Sequence, residues 1–120
     1  MITATIRALP PIAWRDVYDE IVETQDPNVL MVEKDRRCGL VCAESGEAIT
    51  GLIYDNIFKT RLPKVLYVEL EEKYGMISTD GQIIVKPTYD EIQSNKDQNV
   101  FIATVTAKGE TLEFEITLTE

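Results

Sequence analysis

The last eleven residues, E-T-L-E-F-E-I-T-L-T-E from 110 to 120, alternate without a break. Leu112, Phe114, Ile116 and Leu118 fall on one side, and Thr111, Glu113, Glu115 and Thr117 on the other. A period of two over that length predicts a half-buried strand with one wet, acidic face. The stretch V-L-Y-V-E-L at 65–70 is rich in β-branched and aromatic residues and also predicts a strand. Next, G-M-I-S at 75–78 leads into T-D-G-Q, where Gly81 can take the positive φ of a tight hairpin. Ser45 and Gly46 suit the same role earlier in the chain. The opening I-T-A-T-I-R-A alternates more weakly and predicts a further strand. Across 12–23 the pattern changes: Trp14, Val17, Tyr18, Ile21 and Val22 follow helical spacing, and Pro11 stands where a helix can begin.

A longer period underlies these short ones. Tyr-Asp-Glu-Ile at 18–21 returns at 89–92, with Tyr-Asp-Asn-Ile at 54–57 between them, so the steps are 54 − 18 = 36 and 89 − 54 = 35. Spacing of this size marks one supersecondary unit copied along a chain. Val29 aligns with Val65, Glu33 with Glu69, Gly39 with Gly75, Gly46 with Gly81 and Tyr54 with Tyr89. The expected fold is mainly β: a single domain over 1–120 of stacked antiparallel β-meander repeats of about 35 residues. It comprises a partial unit 1–28, full units 29–57 and 65–92, and a degenerate C-terminal unit 100–120. Each full unit reads as three strands, the last closing on the tyrosine. For the first tetrapeptide a short helix across 12–23 competes with a strand.

The run K-Y-G-M-I-S-T-D-G-Q-I-I-V-K-P-T-Y-D-E-I at 73–92 resembles the WG or KWG β-repeat family of bacterial proteins. Units of that family carry an aromatic–Gly pair, an apolar pair, a turn and a closing Pro-x-x-Tyr-Asp-x-Ile. Tyr74 stands where the family usually has Trp, and residues 37–57 match more loosely, with Cys38 at that place. The resemblance spans 29–92. It implies an all-β repeat and often a binding role, and it brings no catalytic residues with it.

Charge and composition narrow the function classes. Lys and Arg total 12 against 21 Asp and Glu, a formal net charge of −9, which repels nucleic acid and anionic membrane and attracts basic partners. Arg7 interrupts the only apolar stretch at the N-terminus, and no run of 18 apolar residues occurs, so neither signal peptide nor membrane span is expected. The expected compartment is the cytoplasm, and the expected state a monomer or small oligomer. In a strand, Cys38 and Cys42 would lie roughly 13 Å apart, too far for a disulfide.

Histidine is absent, which removes the usual triads and imidazole metal sites. Neither G-x-S-x-G nor a P-loop motif occurs. The Cys-x-x-x-Cys pair reads better as core than as metal ligand. Adjacent carboxylates such as Glu71 and Glu72 are expected by chance in so acidic a chain. Asp19, Asp55 and Asp90 read first as acceptors of backbone N–H bonds where the chain leaves a strand, and second as a carboxylate ladder. No segment has the oxygen density of a calcium loop. The reading is therefore non-catalytic, without metal or cofactor.

Two function classes follow. One is a small acidic inhibitor or immunity-type protein that caps a basic bacterial toxin or effector. The other is a structural or scaffolding WG-repeat module that binds another protein or an envelope component. For the first, the candidate partner-binding residues are Glu33, Glu69, Glu71, Glu113 and Glu115, with Tyr67 as an aromatic anchor. Alternation places Tyr67, Glu69 and Glu71 on one side of a strand whose other side, Leu66, Val68 and Leu70, is apolar. A merely solvated face is the competing reading of the same carboxylates.

Overall fold

The structure is a computed structural model, and it describes residues 2–6, 13–97 and 99–119. It is mainly β: among the described residues there are ten strands in three antiparallel sheets and one helix of four residues, α1 (Ala13–Asp16). The first sheet contains β1 (Glu20–Glu23), β2 (Val29–Lys34) and β3 (Arg37–Cys42). The second contains β4 (Asn56–Lys59), β5 (Val65–Leu70), β6 (Lys73–Ser78) and β7 (Ile83–Tyr89). The third contains β8 (Glu91–Ser94), β9 (Val100–Ala107) and β10 (Glu110–Thr117). Strands follow one another in sequence order within each sheet, so every sheet is a meander. No helix among the described residues is long and apolar enough to cross a membrane.

Registers in the first two sheets correspond residue for residue at an offset of 36. Val29 pairs with Cys42, Val32 with Gly39 and Lys34 with Arg37; Val65 pairs with Ser78, Val68 with Gly75 and Leu70 with Lys73. Each hairpin turns on two residues in the left-handed region, Asp35 and Arg36 (φ 51 and 68), then Glu71 and Glu72 (φ 53 and 67). In the third hairpin, β9 to β10, each strand is two residues longer, and the turn is made by Lys108 and Gly109 (φ 52 and 79).

The middle sheet is covered on both faces. On one side Leu66, Val68 and Ile77 (1%, 0% and 0% exposed) form a core with Val29, Cys38, Leu40, Tyr54 and Ile57. On its other side Tyr67 meets Phe101 of β9 edge to face, with ring centroids 5.9 Å apart. Met76, Phe101 and Ala103 are fully buried. The outer side of the first sheet is closed by a smaller cluster, in which Leu30, Val32 and Val41 meet Trp14, Tyr18, Ile21 and Leu52. The three sheets stack in one direction, with the middle one between the other two.

Three local expectations are corrected. Residues 2–6 form no strand: Ile2 and Ile6 are exposed, and no described residue pairs with their backbone; Arg7 and Ala8, the rest of that expected strand, lie outside the described residues. Residues 12–23 divide the two competing readings, because α1 gives way to β1; Ile12 itself lies outside the described residues. The third strand of the first unit is reduced to isolated bridges, Val41 to Ala48 and Cys38 to Tyr54. There the Leu40 carbonyl accepts from both Ile49 and Thr50 N–H, and the Thr50 hydroxyl accepts from Leu40 N–H. A side chain has replaced a ladder partner, and Gly51 follows. The corresponding β7 carries Ile83, Ile84 and Val85 instead and remains a strand.

Gly39 and Gly75 have a specific reason to lack a side chain. Opposite Gly75, β7 bulges between Val85 and Tyr89 and includes Pro87, which has no N–H to give to a ladder. A Cβ on Gly75 would lie 2.3 Å from the Val85 carbonyl oxygen and 2.7 Å from Pro87 N; on Gly39 it would lie 2.6 Å from the Gly51 oxygen. These are backbone atoms and cannot swing away. Gly75→Ala should therefore cost about 3 kcal/mol or more. Gly109→Ala meets no atom within 4 Å and should cost about 1 kcal/mol, the strain of its left-handed turn. Urea unfolding of the two variants measures the difference, and equal costs would remove the steric argument.

Candidate functional site

The tetrapeptides are junctions between sheets. The tyrosine pairs back into the preceding sheet, Tyr54 with Cys38 and Tyr89 with Tyr74, whereas the isoleucine lies in the first strand of the next sheet. The expectation that the tetrapeptide closes a strand thus describes only its first residue. Between the two, each aspartate makes one recurring backbone pair. Asp19 N–H donates to the Glu33 carbonyl, Asp55 to Glu69 and Asp90 to Thr104. Their carboxylates accept from the amides sixteen residues further on: Asp19 from Asp35 at 2.9 Å, Asp55 from Glu71 at 2.8 Å and Asp90 from Thr106 at 2.6 Å. These bonds reach across to the hairpin and are not local turns.

The second carboxylate oxygen faces the preceding sheet. Asp55 Oδ1 is 3.1 Å from Arg37 Nη1, and Asp90 Oδ1 pairs with Lys73 Nζ. Arg37 and Lys73 are equivalent, each opening the second strand of its hairpin. Bonding to Lys73, then to the Thr106 amide, holds the Asp90 carboxyl below its ordinary value. With these bonds made inside the protein, the aspartates are occupied as structural clips. No group of three or more His, Cys, Asp or Glu among the described residues is placed to hold a metal ion.

The six candidate partner-binding residues do not form one surface. Tyr67 is not an exposed anchor: it is half-buried between the second and third sheets against Phe101, and burial raises its phenol pKa. Glu71 is not on the strand, because β5 ends at Leu70 and Glu71 occupies the hairpin turn. Alternation was extrapolated one residue past the end of the strand, and the far side of β5 is covered by the third sheet. Glu33 and Glu69 sit half-buried at sheet margins. Glu33 Oε2 is 4.0 Å from Cys38 Sγ, and Glu69 Oε1 accepts from Asn56 Nδ2 at 2.7 Å. Burial, followed by the charges of Glu33, Glu20 and Asp55, pushes the Cys38 thiol pKa up. Both cysteines are free.

Glu113 and Glu115 are exposed on the outer face of the third sheet. Register groups them with residues that sequence reasoning passed over. One row across that face is Glu91, Thr104, Glu113, and the next is Gln93, Ile102, Glu115. In the first and second sheets the second row is Val22, Met31, Leu40 and then Phe58, Tyr67, Met76. In this second row, apolar strand partners where another sheet stacks are thus replaced by Gln93 and Glu115 around Ile102, whereas the first row already carries Glu20 and Glu33 in the first sheet and Glu69 in the second. The signal for Glu91 was its placement after the third Tyr-Asp, which puts it beside β9 and on the side of Glu113.

A cleft of about 730 Å³ between the second and third sheets is lined by Leu62, Pro63, Lys64, Ile84, Asn99 and Leu118, among others, and no described residue places a carboxylate or thiol in its wall. At the same end of the molecule, Gln25 Nε2 donates to the Leu62 and Val65 carbonyls at 2.8 and 2.6 Å. Its equivalent Arg61 reaches the Asn95 carbonyl. Adjacent sheets are thus stitched at both ends of their strands.

The lowered pKa of Asp90 sets a pH dependence. A carboxyl held below its unfolded value stabilises the fold above the unfolded pKa, about 3.9 for aspartate. That contribution is lost as pH falls through the folded pKa. Asp90→Asn should therefore be less stable than the parent at neutral pH, with the gap closing below about pH 4. Thermal melts from neutral to acid pH measure it, and a gap constant across that range would exclude the ionised carboxylate as the cause. In the turns, Glu71→Asn with Glu72→Gly should raise stability by about 1 kcal/mol, since Asn-Gly accepts two positive φ values. An unchanged denaturation midpoint would show that the Asp55 bond already absorbs the strain.

Comparison of the chain with protein families, with curated proteins and with solved structures found no match to any of them.

Proposed function

We propose that this chain is a non-catalytic protein-binding module, a small acidic inhibitor or immunity-type protein that caps a basic toxin or effector. The observation that carries the reading is the outer face of the third sheet. At the place where the first two sheets receive the next one, it is exposed and carries Glu91, Glu113 and Glu115. The net charge of −9 adds a long-range field of the same sign. A rigid array with both faces of its middle sheet filled would present such a face with little reorganisation, which lowers the cost of binding.

The second reading, a scaffolding module of the WG-repeat type, is favoured by the stacking of three successive sheets and by the recurrence of the Asp clips and pairings at offsets of 36 and 35. On that reading the acidic end is a solvated cap. Association kinetics distinguish the two. With a cationic partner recovered by pull-down and then purified, the capping reading expects an association rate that falls about tenfold or more as salt rises from low to high concentration. It also expects Glu113→Lys with Glu115→Lys to slow association while the circular dichroism spectrum is kept. A rate insensitive to salt, or recovery only of neutral or acidic partners, would favour the scaffold.

A further inference from the structure

We propose that the free edge of β10 is a strand-addition site that takes an extended segment of a cationic partner, alternating basic and apolar residues. This deepens the capping reading and rests on it. In the first two sheets the second strand of the hairpin is paired on its far side by the chain itself. β3 is bridged there by Ala48 and Tyr54, and β6 by β7. β10 is the equivalent strand of the third sheet, and among the described residues its far side pairs with nothing.

Edges elsewhere are short or protected. β1, β4 and β8 have four residues each, and β7 is interrupted by two register shifts and Pro87. β10 has eight residues in unbroken register, with no proline, lysine or bulge. Its two-residue turn makes Ala107 and Glu110 a bonded pair, so the N–H groups of Thr111, Glu113, Glu115 and Thr117 point to the open edge.

Two faces define the occupant. β9 packs over β7, so β10 projects past the edge of the middle sheet. Its inner side chains are therefore only partly covered: Phe114 meets Tyr89 edge to face at 5.8 Å yet is 44% exposed, and Leu112 is 50% exposed. Apolar side chains of an added strand would lie beside these. On the outer face its alternate residues would lie beside Glu113 and Glu115, where a basic residue is favoured. A second β10 is a poor occupant, because antiparallel pairing centred on Phe114 sets Glu113 of one copy against Glu115 of the other.

The test follows amide exchange of the whole protein with a synthetic peptide of alternating lysine and valine, as long as β10, and with an alternating glutamate–valine control. The expected result is protection of Thr111, Glu113, Glu115 and Thr117 by the lysine peptide alone. Glu113→Pro, which removes an edge N–H, should bind it about tenfold more weakly than Glu113→Ala, which loses the same charge. Exchange on the parent protein decides the matter even if the proline variant fails to fold. Protection at another edge, or equally by both peptides, overturns the proposal. So does protection that grows with protein concentration alone and disappears when residues 2–6 are deleted, which would make a second copy the occupant. If a purified cationic partner binds Glu113→Pro as well as Glu113→Ala, this edge is excluded and the capping reading stands. If no cationic ligand binds the parent protein, both fall.

Discussion

One carboxylate at each junction holds the array in register. Asp55 joins three places at once: its own N–H pairs with the Glu69 carbonyl, one oxygen accepts from Glu71 N–H, and the other faces Arg37 of the preceding sheet. Asp90 repeats this with Thr104, Thr106 and Lys73. Charged acceptors make shorter and stronger hydrogen bonds than neutral ones. That matters here because the Glu71–Glu72 turn puts two glutamates in the left-handed region, a cost of roughly 1–2 kcal/mol for each residue. The clip fixes the strained turn and the angle between sheets with the same atoms. Among the described residues no sheet precedes Asp19, whose carboxylate bonds forward to Asp35 N–H, while Lys34 donates to the Val17 carbonyl nearby.

Once the clips and the Gln25 and Arg61 stitches set the stacking, burial follows from it. A sheet covered on both faces cannot show the simple apolar–polar alternation of a surface sheet. β5 reads V-L-Y-V-E-L because Leu66 and Val68 face one neighbour while Tyr67 faces the other. Glutamates are kept to the margins: Glu33 and Glu69 stand at strand ends, where their carboxylates reach partners or solvent. The same stacking explains the glycines, since the strand that returns over Gly39 and Gly75 must pass close enough to leave no room for a side chain.

The end of the array is where chemistry is left over. The third sheet carries Phe101 and Ala103 on its inner face, and on its outer face Gln93 and Glu115 flank Ile102 where its predecessors have an unbroken apolar row. Among the described residues, carboxylates lie on an exposed sheet face beside a long unpaired strand edge only there. Of the six residues selected as partner-binding, Glu113 and Glu115 belong to this surface, and the structure adds Glu91. Glu33 and Glu69 lie near strand ends, Tyr67 packs against Phe101 and Glu71 occupies a turn.

Local chemistry fixed much of this protein without any knowledge of its tertiary contacts. The β class, the hairpin strands, the positive φ of Gly46 and Gly81 and the free cysteines were legible because each depends on alternation, turn residues or strand length over a few positions. The alignment of Val29 with Val65 and Gly39 with Gly75 was legible because the paired residues recur at one offset. Which face of β5 is exposed was not legible, since Tyr67 has a dry side only because Phe101 of another sheet lies against it. Nor was the failure of the strand after Gly46, which turns on the Thr50 hydroxyl reaching Leu40, or the role of each Asp, whose partner lies sixteen residues away. Alternation tells which residues share a side of a strand, but only the stacking of sheets decides which sides meet water.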